Sequence, residues 1–275
     1  MLRLEKYTKF LVYFFLIIYL VIILLPFTMM ILNSFKTTRE IFLYPFGLPE
    51  SFSLSNFKDA WVKANIGRGY LNSALIACFS VIGILFTSTM FAFAISQFQF
   101  KGRIFLRMYA MLGLALPAQL AVIPIFLLLR NFSLTDTRTG LILVYIAVNF
   151  SFSVFILTNF MENIPSELID EARIDGANLW QIYTKIVLPL VRPSLTIVGL
   201  VSFVNVWNDF FYPLILINSK SKATITLAVS IFFGEYYNQW NLLFSSLTLA
   251  IIPSIILYII FSRQFIAGMT QGAFK

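Results

Sequence analysis

Six long apolar runs constrain this chain more than anything else in it: Phe10–Leu32, Ser73–Ser96, Tyr109–Leu129, Thr139–Phe160, Leu190–Ile217 and Leu242–Phe261. A bilayer core of about 30 Å is crossed by about 20 residues of α-helix. Charged residues make up only 12% of the chain and hydrophobic residues 59%, whereas a soluble domain carries about 25% charged residues. Lipid is therefore the solvent, and the expected fold is an all-α integral membrane protein with six transmembrane helices.

The residues that are missing exclude other classes. The chain has no histidine, so general acid–base chemistry loses its commonest side chain and a zinc site its commonest ligand. Its one cysteine, Cys78, lies inside an apolar run, which rules out an intrachain disulfide and argues against a metal site. No nucleophile elbow and no paired carboxylates occur in the spans, so no catalytic residue is assigned and an enzyme is not expected. The formal net charge is +8, but the basic residues fall mostly in the short breaks between apolar runs. They read as topology signals and not as a nucleic-acid surface. The first apolar run exceeds the roughly 7–15 residues of a signal-peptide core and no small-x-small site follows it, so a retained first span is expected.

Orientation follows from the short loops. The connection "QFQFKGRIFLR" holds Lys101, Arg103 and Arg107 with no acid, and Arg3, Lys6 and Lys9 precede the first span. Both segments are expected in the cytoplasm, which with six spans places the C-terminus there too. Residues 1–72 then comprise the first helix and an extracytoplasmic loop, in which Pro45, Gly47 and Pro49 oppose a long helix. Residues 73–263 form the transmembrane core and residues 264–275 a cytoplasmic tail.

The stretch "NIPSELIDEARIDGANLWQIYTKIVLPL" interrupts this pattern on the cytoplasmic side with Glu167, Asp170, Glu171 and Asp175. Pro165 and Ser166 mark a helix start, and Glu167 in the first turn complements the helix dipole. Gly176 can take the left-handed conformation that ends a helix. Asn178 followed by Gln181 is a capping-box pattern for a second start, Leu179, Ile182, Tyr183 and Ile186 share one helical face, and Pro189 is expected to stop the helix at the membrane. Two readings fit this helix-turn-helix: a solvated amphipathic connector, or a knob that docks its acidic and apolar faces on a cytoplasmic partner.

These residues carry a family likeness. The run "DEARIDGANLWQIYTKIVLPL" resembles the EAA motif of ABC importer permeases: Asp175, Gly176 and Ala177 match its Asp-Gly-Ala turn, and Ile186, Leu188 and Pro189 its Ile-x-Leu-Pro ending. The family's glutamate falls on Asp170, its first alanine on Glu171 and its second on Ala172, so the ion pair that the resemblance implies is left open to Asp170, to Glu171 or to a different arrangement. "LPESFSLSNFKDAW", "LPAQLAVIP", "VWNDFFYPLIL" and the tail "RQFIAGMTQGAFK" are similar to the smaller permease of the maltose-type, carbohydrate-uptake branch. The resemblance implies a subunit of a binding-protein-dependent sugar importer in a prokaryotic cell membrane. Its partners would be a second homologous permease, two ATPase subunits that bind ATP and magnesium, and an extracytoplasmic sugar-binding protein. Independently, the chain holds no G-x-x-x-x-G-K-[ST] loop, so any ATP must be bound by another polypeptide.

Within the spans, Asn205, Trp207, Asn208 and Asp209 cluster in the fifth run, and Gln119 lies between Pro117 and Pro124 in the third. A carboxylate at mid-membrane costs about 2.5–3.5 kcal/mol on insertion scales, so Asp209 should face protein or water. Either these groups line a sugar pathway, or those of the fifth run form a structural polar knot or stand near the outer interface, since Asp209 is close to that end of the span. The segment "NSKSKATITLAVSIFFGEYYNQW" reads as an interfacial aromatic belt or, by resemblance, as a loop that reaches into the binding protein. A glycerol-phosphate or other polyol importer lies within the same class. An autonomous secondary transporter with inverted repeats is disfavoured by the absence of an obvious internal repeat.

Overall fold

The computed structural model describes the backbone of residues 2–234 and 239–271, and the side chains of 7–233 and 239–261. Tyr236 and Tyr237 of the aromatic loop and the side chains of the tail expected at 264–275 lie outside the described residues. Among the described residues every regular element is helical. Four helices among the described residues are long and apolar enough to cross a membrane, with two further bent pairs that qualify when each pair is taken together. The chain divides into two compact units, Met1–Gly67 with Ala228–Ile252 and Arg68–Leu227 with Pro253–Lys275.

In the first unit, helix α1 (Leu2–Asn33) contains the apolar segment Tyr7–Asn33, and none of its most apolar stretch is buried. As expected, its proline- and glycine-bearing loop forms no long helix, only α2 (Thr38–Leu43) and α3 (Ser55–Lys63). Thr37 and Glu40 close a capping box that starts α2. The loop is held by its side-chain amides. Asn56 donates to the carbonyls of Ser34 and Lys36, both at 2.9 Å, and Asn241 Nδ2 donates to Asn56 Oδ1 at 2.8 Å. Lys36, only 1% exposed, gives its ammonium to the carbonyls of Tyr44 and Pro45.

The second unit carries α4 (Ile66–Gln97, whose first two residues belong to the other unit), α5 (Arg103–Ala115), α6 (Val122–Asn131) and α7 (Arg138–Met161). Next come α8 (Ser166–Ile174), α9 (Leu179–Gln181), a π-helical turn (Ile182–Val187), α10 (Leu188–Leu190), α11 (Arg192–Asn208) and α12 (Phe211–Leu216). After them in the chain come α13 (Ile225–Val229), which passes into the first unit at Ala228, α14 (Ile231–Gly234) of the first unit, and α15 (Trp240–Gln271), which belongs to the first unit as far as Ile252 and to the second from Pro253. Helix α7 is the hub, with α5 and α11 packed along it. Small residues allow this closeness: a Cβ on Gly113 of α5 would come within 2.2 Å of Ser151 Oγ on α7.

Prolines decide where the apolar runs break. The third run bends by 96° between α5 and the 3₁₀ turn Ala118–Ala121. Leu116, which precedes Pro117, is extended at φ −103°, ψ 125°, as expected of a pre-proline residue. The helix expected to stop at Pro189 runs through it: α10 ends at Leu190 and the chain turns by 76° into α11. Pro193 lies in the first turn of α11, where its missing N–H costs nothing. The fifth run is likewise not one helix, because α11 ends at Asn208 and Asp209 is extended with ψ 130°. Pro213 cannot donate to the carbonyl four residues back. That carbonyl, on Asp209, accepts instead from Thr226 Oγ1 at 2.6 Å.

Candidate coupling hairpin and membrane pathway

The acidic stretch folds as the local signals dictate. Helix α8 begins at Ser166 after Pro165 and ends in a Schellman arrangement: Ala177 N–H donates to the carbonyl of Ala172 at 2.9 Å and Gly176 N–H to that of Arg173 at 3.1 Å. Gly176 sits at φ +82°. Asn178 and Gln181 cap α9 reciprocally, at 2.8 and 2.9 Å. The π-turn has a local cause in Pro189, whose ring would clash with the carbonyl of Lys185 in a continued α-helix. Widening relieves the clash, and Leu188 N–H reaches the carbonyl of Tyr183, five residues back.

One side of this hairpin is built into the membrane core. Ile169 and Ala172 from α8 and Ile182 and Val187 from the π-turn pack in one cluster with Ile84 and Ala92 of α4 and Leu157 and Met161 of α7. The other side is open: Asp170, Glu171, Asp175 and Gly176 are exposed, and Ala177 is half-buried against the cluster. Of the six coupling candidates, Ala172 alone is buried, so it roots the hairpin while the acids face outward. Asp170 lies 3.4 Å from Arg173, its neighbour one turn on. A hollow of about 370 Å³ is lined by Ala172, Asp175, Gly176, Ala177, Gln181, Lys185 and Ile186. Leu179 parts from Ile182 and Tyr183 of that apolar face, which are buried: it is 53% exposed, beside Trp180 at 59% and Ile174 at 85%. The core reaches the second helix only from Ile182 onward.

The candidates in the spans separate by environment. Asn205 and Asn208 are exposed one turn apart on α11, and Ser254 Oγ lies 3.3 Å from Asn208 Oδ1. Trp207 is buried, its ring stacked on Phe203 at 5.6 Å and 6.0 Å from that of Tyr70. The Asp209 carboxylate accepts from Tyr145 Oη at 2.8 Å and from the backbone N–H groups of Tyr212 at 3.1 Å and Phe211 at 3.3 Å. It therefore ends one helix, caps the start of the next and is tied to α7. Gln119 is exposed in the 3₁₀ turn, and the carbonyl of its neighbour Ala118 accepts from Tyr212 Oη at 3.2 Å. Tyr212 thus brings the breaks of the third and fifth runs together.

Two polar clasps close the ends of the helices, and neither is among the candidates drawn from sequence. At the hairpin end, Arg107 grips both oxygens of Glu162, the second contact at 3.1 Å, while Gln97 donates to the Met161 carbonyl at 2.7 Å. At the opposite end, Asp136 accepts from the Ser219 hydroxyl, the Ser219 and Asn218 N–H groups at 2.9 and 3.0 Å, and Lys222 at 3.1 Å. The Ser219 bonds above all hold the Asp136 carboxyl well below the usual carboxylate range. The unmatched acid Glu162, following a loop with only bases, is the one sequence signal for the first clasp. The second joins residues more than eighty apart and has no local signal.

Helices throughout the described residues, several of them apolar spans with a polar hairpin rooted among them, define a membrane-embedded protein. The chain belongs to the family of binding-protein-dependent transport system inner membrane components, whose sequence profile matches residues 85–271. A diacetylchitobiose uptake system permease protein, NgcG of Streptomyces coelicolor, is 32% identical over 94% of this chain and 87% of its own length. An arabinooligosaccharides transport system permease protein, AraQ of Halalkalibacterium halodurans, is 32% identical over 91% of this chain and 90% of its own. A chain of a bacterial ABC transporter involved in import of the acidic polysaccharide alginate superposes with a TM-score of 0.83, covering 95% of this chain and 97% of that one, at 22% identity. The protein is thus an inner-membrane permease component, and its work is passage across the bilayer and not bond-making chemistry.

Proposed function

We propose that this permease forms half of the translocation pathway of an ABC importer for oligosaccharides. The observation that carries the reading is the hairpin, which has an acidic outer face and an apolar inner face locked into the core of the spans. Exposed Ile174, Leu179 and Trp180 beside Asp170, Glu171 and Asp175 suit docking into a groove on a cytoplasmic ATPase. Two ATPase subunits supply ATP and magnesium binding, a second homologous permease completes the pathway, and an extracytoplasmic binding protein delivers the sugar. The saccharides named for the similar permeases support the substrate class. Asn205 and Asn208, with Gln119, are the polar groups available to a passing sugar, while Trp207 and Asp209 shape the wall behind them.

Each bent pair is taken as one span, giving six, with both termini and the hairpin in the cytoplasm. Residues 1–72 provide the first span and outer loop, 73–263 the core and 264–275 the tail. With Cys78 replaced by serine, Ser166→Cys and Ser221→Cys, both at exposed positions, should label from opposite sides of the membrane. Labelling of Ser166→Cys from outside in intact cells would reverse the topology.

Transport itself is testable in proteoliposomes holding the complete complex and its binding protein. Uptake of at least one of labelled diacetylchitobiose, arabinotriose and raffinose should require both ATP and the binding protein. Ion-driven uptake that persists without the ATPase would overturn the proposal.

A further inference from the structure

The hairpin meets the spans mostly through apolar contacts, which are non-directional and tolerate sliding. One contact is different. Tyr183, in the π-turn, is 6% exposed, and its hydroxyl lies 2.6 Å from Thr89 Oγ1 on α4, itself 3% exposed. Thr89 Oγ1 also lies 2.6 Å from the carbonyl of Leu85, to which it donates. Its single proton is committed there, so Tyr183 is the donor to Thr89 and the two bonds form a chain. The Tyr183 ring is held between Phe93 of α4 and Trp180 of α9, at 5.2 and 5.5 Å.

The π-turn gives this bond its leverage. A single π-turn inside a helix places one residue more per turn than the α form, so residues on either side of it change azimuth if it tightens. The turn lies between the exposed acidic face and the 76° bend into α11. Movement of the hairpin must therefore be taken up by the turn or passed to what the turn grips. The Tyr183–Thr89 bond is a buried, directional hydrogen bond from the turn to α4.

We infer that Tyr183 is a positioning residue for energy coupling: through Thr89 it locks the π-turn to α4, so that displacement of the hairpin moves α4 instead of dissipating in the turn. This rests on the reading of the hairpin as the ATPase dock. The expected consequence is a selective loss of transmission with docking intact, by about fivefold for one buried neutral hydrogen bond.

The test uses the complete complex with its ATPase in lipid nanodiscs, with Cys78 replaced by serine. A bimane fluorophore is attached at Leu168→Cys on α8 or at Leu71→Cys near the far end of α4, both at exposed positions, and ATP with vanadate is added. Both reporters should respond when positions 89 and 183 are unchanged. Tyr183→Phe or Thr89→Val should cut the Leu71 response about fivefold or more while the Leu168 response and the bound ATPase stay unchanged, and Thr89→Ser should restore it. If Tyr183→Phe does not assemble, the Thr89 pair carries the test alone. A full Leu71 response in the variants overturns the coupling role and leaves docking standing. A silent Leu168 reporter with positions 89 and 183 unchanged overturns docking itself, and the coupling role with it. A lower melting temperature and weaker response that Thr89→Ser does not restore would mark the bond as merely structural, which also overturns it.

Discussion

Replacing Gly176 with valine is expected to uncouple the transporter while leaving the spans inserted. Gly176 adopts φ +82°, and nothing lies within 4 Å of where a Cβ would stand, so the penalty is one of backbone conformation and not of collision. An L-residue in the left-handed region costs about 1–2 kcal/mol, and a β-branched one is the worst suited. Tightening or opening this turn would break the bonds from Ala177 to Ala172 and from Gly176 to Arg173 and reset the angle between α8 and α9. Binding-protein-stimulated ATP hydrolysis should fall about tenfold or more, with normal membrane insertion. Gly176→Asn, which tolerates positive φ, should retain most of the activity. Undiminished stimulation in Gly176→Val would show that the turn's geometry does not matter for docking.

A contrast of comparable size is expected between Asp209 and its neighbour Asn208. Asp209→Ala strands three donors, the Tyr145 hydroxyl and the N–H groups of Phe211 and Tyr212. Hydrogen bonds to a charged acceptor contribute about 1.5–3 kcal/mol each. The yield and melting temperature of the detergent-purified complex should therefore drop sharply. Asn208 is exposed, with the Ser254 hydroxyl on its side-chain oxygen, so in Asn208→Ala assembly should hold while uptake and preference among labelled saccharides change. A lost polar contact with substrate commonly shifts discrimination by about 1–3 kcal/mol. Normal stability in Asp209→Ala, or collapse in Asn208→Ala, would exchange the two roles.

What can be read in the sequence follows the range of the forces. Pro165, Gly176 and the Asn178–Gln181 pair act within three or four residues, so the hairpin's first helix, its turn and its second start are legible from the residue order alone, whereas the π-turn that carries the chain through Pro189 is not. The apolar runs are legible as spans because lipid demands length, but their breaks are only partly so. Prolines are visible at 117, 189 and 213, yet whether each yields a kink, a π-turn or a 96° corner depends on what receives the freed carbonyl. For Asp209 that receiver is Thr226, seventeen residues on. Composition allows Asp209 to be either lining or knot, and its three donors tie it to α7 and to the start of α12. Bonds such as Tyr183–Thr89 or Asp136–Ser219 join residues far apart in the chain. A lone threonine or tyrosine within an apolar run leaves no periodic trace of its partner.

The hairpin's shared core has a consequence for exchanging parts between transporters. Ile169, Ala172, Ile182 and Val187 pack in the same cluster as Ile84, Ala92, Leu157 and Met161, so residues 163–189 are not a cassette to be lifted out at their ends. A chimera that takes this segment from another permease brings four foreign side chains against four native ones, in an interior where mismatched volumes cost about 1–3 kcal/mol apiece. Solvent-facing positions such as 170, 171, 174, 175, 179 and 180 lie outside this cluster and can be rewritten to suit a different motor. On the proposed reading of the hairpin as a dock, a graft that respects this division should carry the partner specificity of the donor on the packing of the host.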